Sequence, residues 1–232
     1  LAQLRERQQL HLNRLWLAQR APRVVVVANR LPFRISRDEK SGALRYDFSS
    51  GGMVSALAGV RGLRMMWVGW ADVPDTTAAE RAEIRRVLWA RGCIPIFPSR
   101  ELAELHYSGF CNDVLWPLFL YVVSRMPDTS GGTFSAQWEA YRAVNAQFAH
   151  VVSRVAGPHD LVWLHDYHLM LLPSMLRQRE PRLRIGWYLH TPWPALEVFR
   201  TLPMRRDILR GLLSADVRGF HIYEYSLHFL HP

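Results

Sequence analysis

Two short segments concentrate the chemistry of this sequence. One is Trp163-Leu164-His165-Asp166-Tyr167-His168; the other, about one βα unit later, is Gly186-Trp187-Tyr188-Leu189-His190-Thr191-Pro192. Each is an apolar, strand-like run that stops abruptly at imidazole, carboxylate or hydroxyl groups. In an open α/β sheet, ligands bind in the crevice outside the carboxyl ends of the strands, so polar groups delivered there by successive strands converge on one site. Asp166 at a strand end can accept hydrogen bonds from two adjacent sugar hydroxyls. His190 precedes Thr191-Pro192-Trp193-Pro194, whose prolines stiffen the turn and would fix the ring's orientation. The same residues also have plain uses. His165 reads equally as a buried histidine satisfied by backbone, His168 as a structural residue inside the next helix, and His190 as a core histidine before a turn.

Other strand-like runs end in comparable groups. Arg23 to Asn29, with its Val24-Val25-Val26-Val27 core, stops at Asn29-Arg30, and Met65 to Trp70 stops at Trp70-Ala71-Asp72. Arg30 can pair bidentately with a phosphate. Taken alone, such a residue is more often a surface arginine or half of a structural salt bridge. Gly51-Gly52 before a helix is a possible anion cradle, since glycine admits close backbone approach and a helix N-terminus offers free N–H groups. A glycine pair in that position is more often a plain turn. Tyr107 and Asn112-Asp113-Val114-Leu115-Trp116-Pro117 add aromatic surface of the kind that packs on sugar C–H faces. Most of the nine tryptophans read as core, which leaves Trp116 and Trp70 as candidates for a sugar site.

The elements that must position these groups alternate along the chain. Expected strands are Arg23 to Asn29, Met65 to Trp70, Cys93 to Phe97, Asp160 to His165, Leu183 to His190 and Val217 to Phe220. Expected helices are Met53 to Val60, Thr76 to Ala90 (with Thr76 or Thr77 as N-cap), Glu101 to Leu105, Asp113 to Ser124 (interrupted by Pro117), Ser135 to Val155, Leu169 to Gln178, Met204 to Leu213 and one starting at Tyr223. Residues 1–20 read as an amphipathic helical extension, and 30–50 as a loop or hairpin turning near Asp38-Glu39-Lys40-Ser41-Gly42. The βα alternation predicts an α/β fold with a doubly wound, mostly parallel sheet.

Composition closes off several classes. At 232 residues and 49% hydrophobic the chain can bury a real core. No apolar run approaches the ~18–20 residues of a membrane span, and the first residues lack a secretory leader, so a cytoplasmic setting and no membrane partner are expected. The net charge of +9 comes almost wholly from arginine, with Lys40 the single lysine, and the arginines are scattered rather than packed into one patch; nucleic acid is not an expected partner. Cys93 and Cys111 fit neither a disulfide framework nor a metal spacing, and no His/Cys/carboxylate cluster does, so reduced thiols and no metal are expected. The absence of Gly-x-Gly-x-x-Gly and of Gly-x-x-x-x-Gly-Lys-Ser/Thr argues against a dinucleotide cofactor and a P-loop ATPase.

Taken together in their order, Val26-Val27-Ala28-Asn29-Arg30, Ser50-Gly51-Gly52, Trp67-Val68-Gly69-Trp70, Tyr107 with Asn112 to Pro117, His165 to His168, Leu189 to Pro192 and Gly219-Phe220-His221-Ile222-Tyr223-Glu224-Tyr225 resemble the trehalose-6-phosphate synthases. The resemblance covers nearly everything from Arg23 to Leu230. It implies the Rossmann-like N-terminal half of a GT-B glycosyltransferase, residues 21–232 being the acceptor-side domain. It implies transfer of glucose from UDP-glucose to glucose 6-phosphate with retention, without metal or cofactor. By resemblance, Arg30 and Tyr107 would hold the acceptor phosphate, Asp166 the sugar hydroxyls, and Gly51 and Gly52 the donor diphosphate. Trp116 and His190 would shape the sugar site and act in catalysis, with Trp70 beside the substrate. Such transferases are similar in using no protein nucleophile, so that positioning and stabilisation of the departing charge carry catalysis.

The family's C-terminal donor domain is absent, so the chain is expected to be a truncated first half that folds but turns over slowly or not at all. The His231-Pro232 ending departs from the family's usual helix continuation. The alternative is a non-catalytic synthase-like module that binds sugar phosphate or serves as scaffold, in a homo-oligomer or beside a phosphatase domain. A third reading is a similar transferase with another acceptor, as in glucosylglycerol phosphate synthesis.

Overall fold

The computed structural model describes residues 23–49, 51–60, 62–73, 76–122 and 131–231. The expected extension over residues 1–20, and Ser50, lie outside them. Strand β1 (Arg23–Arg30) is buried over all but its last residue, as a β-branched run with both faces covered requires. Val25 and Val27 enter the larger core, while Val24 and Val26 enter a smaller one on the opposite face. The larger core gathers the long helix Gly132–Val155 and the helices Leu172–Arg179 and Arg205–Leu213. The smaller takes Met53 and Leu57 of the helix Gly52–Ala58.

Around β1, strands β4 (Arg64–Trp70), β5 (Cys93–Ile96), β6 (Leu161–His165), β7 (Arg184–Tyr188) and β8 (Val217–Gly219) complete a six-stranded sheet in the order β5-β4-β1-β6-β7-β8. Every pairing in it is parallel. The chain winds outward from β1 to β4 and β5, then returns to β1's other side and continues through β6, β7 and β8. The reversal between β1 and β6 is where such a sheet opens a crevice at the strands' carboxyl ends. Strands β2 (Phe33–Arg37) and β3 (Leu44–Phe48) form a separate antiparallel hairpin, which settles the loop-or-hairpin alternative for 30–50. Its turn is tied by Asp38 Oδ1, which accepts from the Lys40 and Ser41 amides at 3.1 and 2.8 Å.

Three local expectations need correction. Between Arg100–Ala103 and Trp116–Phe119 the chain forms a π-helix, Glu104–Leu115, so Pro117 opens a four-residue helix rather than interrupting a longer one. His168 lies in the 3-10 turn Tyr167–Leu169, ahead of the helix Leu172–Arg179 and not inside it. Strand β7 ends at Tyr188, which leaves His190 on the following turn. Cys93 and Cys111 are buried free thiols, and burial pushes Cys93 up to about 12. Among the described residues no helix is long and apolar enough to cross a membrane.

Candidate functional site at the carboxyl edge of the sheet

Arg30, at the end of β1, reaches this edge through a local irregularity. The β1–β4 register shifts between Val27 and Arg30, and Gly69 sits directly beneath. A Cβ on Gly69 would lie 2.8 Å from both the Arg30 carbonyl carbon and the Leu31 nitrogen, so only glycine lets the two backbones approach this closely. The Arg30 guanidinium lies over the Tyr107 ring at 4.6 Å and near Trp70 at 5.6 Å, and it pairs with Asp72 at 3.0 Å. Both partners of that ion pair are about half exposed (47% and 50%). Such a pair contributes about 0–1 kcal/mol, so a phosphate can take the guanidinium from Asp72 at little cost.

Below Arg30 the rings form a stack. Tyr107, carried by the π-helix, stacks on His168 at 5.8 Å, and His168 stacks on Tyr167 at 4.2 Å. Burial, followed by the neighbouring His106 and the charge of Arg30, pushes His168 down to about 3, so its ring stays neutral. The turn beneath is clamped from the long helix. The Tyr141 hydroxyl donates to the Tyr167 carbonyl at 2.6 Å and accepts the Met170 amide at 2.9 Å. Asn145 Nδ2 and His106 Nε2 both donate to the His168 carbonyl, at 3.2 and 3.3 Å.

Asp166 is the most constrained residue of the edge. Its φ of 72° and ψ of 176° fall in a region used almost exclusively by glycine, which stores roughly 1–3 kcal/mol of strain. The conformation is held by the Asp166 amide donating to the Tyr188 carbonyl at 2.8 Å and by Trp187 Nε1 donating to the Asp166 carbonyl at 3.1 Å. Burial pushes the carboxyl up to about 6, partly offset by the amides of Tyr167 and His190 and by His221. Its Oδ1 is buried without a protein hydrogen-bond partner, while Oδ2 lies 3.7 Å from His168 Nδ1. A largely buried carboxylate, ionised at neutral pH and with one oxygen short of a donor, is ready for a ligand hydroxyl.

On the far side, His165 Nδ1 and His190 Nε2 are 3.0 Å apart, and the Tyr188 hydroxyl meets His221 Nδ1 at 3.2 Å. The His190 ring lies 5.9 Å from that of His221. Burial pushes His165 down to about 3 and lowers His190, each helped by a neighbouring histidine. His165 is thus bound by a side chain, not satisfied by backbone as its plain reading expected, and its Nε2 is buried without a partner.

The structure therefore links Arg30, Tyr107 and Trp70 in one cluster, joined through His168 to Asp166, with His190 beside His165. Trp116 is partly exposed and tilts against Tyr167 at 6.0 Å, which ties it to the ring stack. Gly51 and Gly52 are exposed at the start of Gly52–Ala58, with no side-chain cap, and among the described residues no hydrogen bond joins them to the cluster. Sequence reasoning placed Asp72 and His165 at strand ends without giving them a site role, and it missed Gly69. The Gly69 signal was available, since a glycine inside an apolar strand often marks close backbone approach. A cavity of about 1300 Å³ opens elsewhere, between the helix Ala78–Trp89, β5 and the long helix, and none of the expected site residues lines it.

Comparison with known proteins gives this geometry a context. The model of glycosyltransferase family 20 matches residues 22–232. An α,α-trehalose-phosphate synthase [UDP-forming] 56 kDa subunit from Kluyveromyces lactis is 46% identical over 217 residues, covering 89% of this chain and 43% of that protein. The corresponding Arabidopsis thaliana synthase 1 is 43% identical over 211 residues, covering 90% of this chain and 22% of that protein. Among solved structures, the N-terminal domain of Candida albicans trehalose-6-phosphate phosphatase superposes with a TM-score of 0.73 at 27% identity, over 91% of this chain and 42% of that one. The Escherichia coli protein bound with UDP-2-fluoro glucose gives 0.68 at 27%, over 90% and 42%. The doubly wound sheet is thus that of the GT-B enzymes it resembles. The chain spans less than half the length of these relatives.

Proposed function

The chain belongs to glycosyltransferase family 20, and on that premise we propose that it is the acceptor-side, N-terminal half of a UDP-forming α,α-trehalose-phosphate synthase. The full reaction would move glucose from UDP-glucose to glucose 6-phosphate with retention, in trehalose biosynthesis. The observation that carries the reading is the cluster at the carboxyl edge, where a displaceable guanidinium on an aromatic platform adjoins a buried carboxylate with an orphaned oxygen.

In this reading Arg30 and Tyr107 take the acceptor phosphate and Asp166 takes sugar hydroxyls, with Trp70 flanking them. Trp116 and His190 border the reacting sugar, and the open amides at Gly51 and Gly52 face the donor diphosphate. The chemistry asked of this half is positioning. Holding the acceptor hydroxyl against the donor lowers the barrier through lost freedom already removed on binding. Stabilisation of the departing diphosphate falls mainly to the C-terminal donor domain, the partner this half would need. The chain alone is therefore expected to bind acceptor and to turn over slowly or not at all.

A second reading is favoured by the likeness to the phosphatase N-terminal domain: a non-catalytic synthase-like module that binds sugar phosphate or serves as scaffold, in a homo-oligomer or beside a phosphatase domain. Calorimetric titration with glucose 6-phosphate tests both. Saturable binding that Arg30→Ala and Asp166→Ala each weaken about tenfold or more supports an acceptor site. Binding that both substitutions leave unchanged sinks the assignment, and no binding by a folded chain means that the site needs its second domain or that this half serves as scaffold.

A further inference from the structure

We propose that His165 is a positioning residue that holds the His190 ring in its Nδ1–H tautomer, so that His190 presents an N–H donor to the sugar site. The β6–β7 register pairs His165 with Tyr188, which brings His190, two residues on, beside the His165 ring. The two imidazoles lie edge to edge, with ring centroids 5.2 Å apart, planes 26° apart and 3.0 Å between His165 Nδ1 and His190 Nε2. On its other side His165 meets the Trp163 ring at 4.8 Å, so the histidine is held between indole and imidazole.

One proton lies between the two facing nitrogens, and its owner follows from what each choice leaves behind. Both rings are neutral at physiological pH, because burial disfavours the imidazolium of each. A neutral imidazole carries one N–H. Were His190 the donor, the single N–H of His165 would sit on Nε2, buried and without an acceptor. Orphaned buried N–H groups are rare and costly, whereas a bare acceptor is tolerated more readily. His165 therefore donates from Nδ1, and the proton of His190 is confined to its own Nδ1. A donor fixed there suits a hydroxyl or ring oxygen of a hexose. The second ring's hydrogen bond sets the tautomer of the first, as it does for metal-bound histidines.

The catalytic consequence rests on the proposed sugar-site role of His190, but the tautomer does not. The test is nitrogen NMR on the histidine-labelled chain at pH 7.5, without ligand. Long-range proton–nitrogen correlations report which nitrogen of each ring is protonated, and a nitrogen–nitrogen coupling reports the hydrogen bond itself. The expected result is His190 protonated at Nδ1 with a coupling to His165. His165→Asn, whose amide can place a donor near the same point, should retain the His190 tautomer. His165→Phe should shift His190 toward the Nε2–H form that a free imidazole favours. A wild-type His190 protonated at Nε2, a missing coupling, or an Nδ1–H form that persists in His165→Phe would overturn the proposal. If His165→Phe fails to fold, the wild-type coupling and His165→Asn still decide. Failure of glucose 6-phosphate to bind while the tautomer stands would count against the site reading alone.

Discussion

The two ends of the central sheet bury charge in opposite ways. At the amino end, Arg23 and Asp160 are both buried and joined at 2.8 Å. Asp160 Oδ2 also accepts the Gly157 amide at 2.7 Å, and the Arg23 guanidinium donates to the Val155 carbonyl. At the carboxyl end, Asp166 Oδ1, His165 Nε2 and His168 Nδ1 are buried without hydrogen-bond partners, and Asp166 keeps a backbone that glycine would hold more easily. The first arrangement closes on itself and serves the fold. The second is left open toward whatever binds there, and it costs stability.

The sharpest break of this contrast should come from Asp160→Ala. Removing one partner strands a buried guanidinium, and about 3–5 kcal/mol of stability should disappear in urea denaturation. Glucose 6-phosphate affinity, measured where the variant remains folded, should not change.

Asp166→Asn should act with the opposite sign. The folded pKa of about 6 lies above the unfolded value of 3.8, so the fold favours the protonated carboxyl. The stabilising contribution is therefore full below about pH 4 and is lost as pH rises through 6. Asparagine escapes that loss. The variant should be on the order of 2–3 kcal/mol more stable than wild type at pH 8 and nearly equal to it at pH 4, while binding the sugar phosphate more weakly. Equal stabilities at both pH values would contradict the burial argument.

Arg30→Ala touches binding and little else. Loss of a charge-assisted contact should weaken glucose 6-phosphate binding roughly 10- to 100-fold. Its ion pair with Asp72 is half exposed, so the melting curve should barely move. The smallest loss of affinity, several-fold in Kd, is expected for Gly69→Ala, but its added Cβ meets the Arg30 and Leu31 backbone and should also lower the urea midpoint.

What was readable in the sequence follows the same division. The valine run of β1 announces a strand buried on both faces, and of the two expected caps Thr77 is the one used, its side chain accepting the Glu80 amide in a capping box that the sequence reading did not name. Arg30 and Asp166 were legible as groups at strand ends, whereas His190, read as the end of a strand, lies on the turn after β7. The π-helix was not, because such helices are rare and a stretch of 12 residues marks their period too weakly to tell it from an α-helix. The backbone of Asp166 was not legible either, since nothing in Leu164-His165-Asp166-Tyr167 signals a glycine-like φ. The bond between His165 and His190 depends on the β6–β7 register, which is a property of the folded sheet.

The central claim is that the open end of the sheet is a sugar-phosphate site and the closed end is scaffold. Backbone amide shifts of the isotope-labelled chain, followed during titration with glucose 6-phosphate at pH 7.5, test it most directly. Saturable changes are expected at Arg30, Tyr107, Asp166 and His190, none around Arg23, Gly157 and Asp160, with saturation moved to about tenfold or more higher ligand concentration in Arg30→Ala. Changes centred on the Arg23–Asp160 end, or an unaltered response in Arg30→Ala, would contradict it.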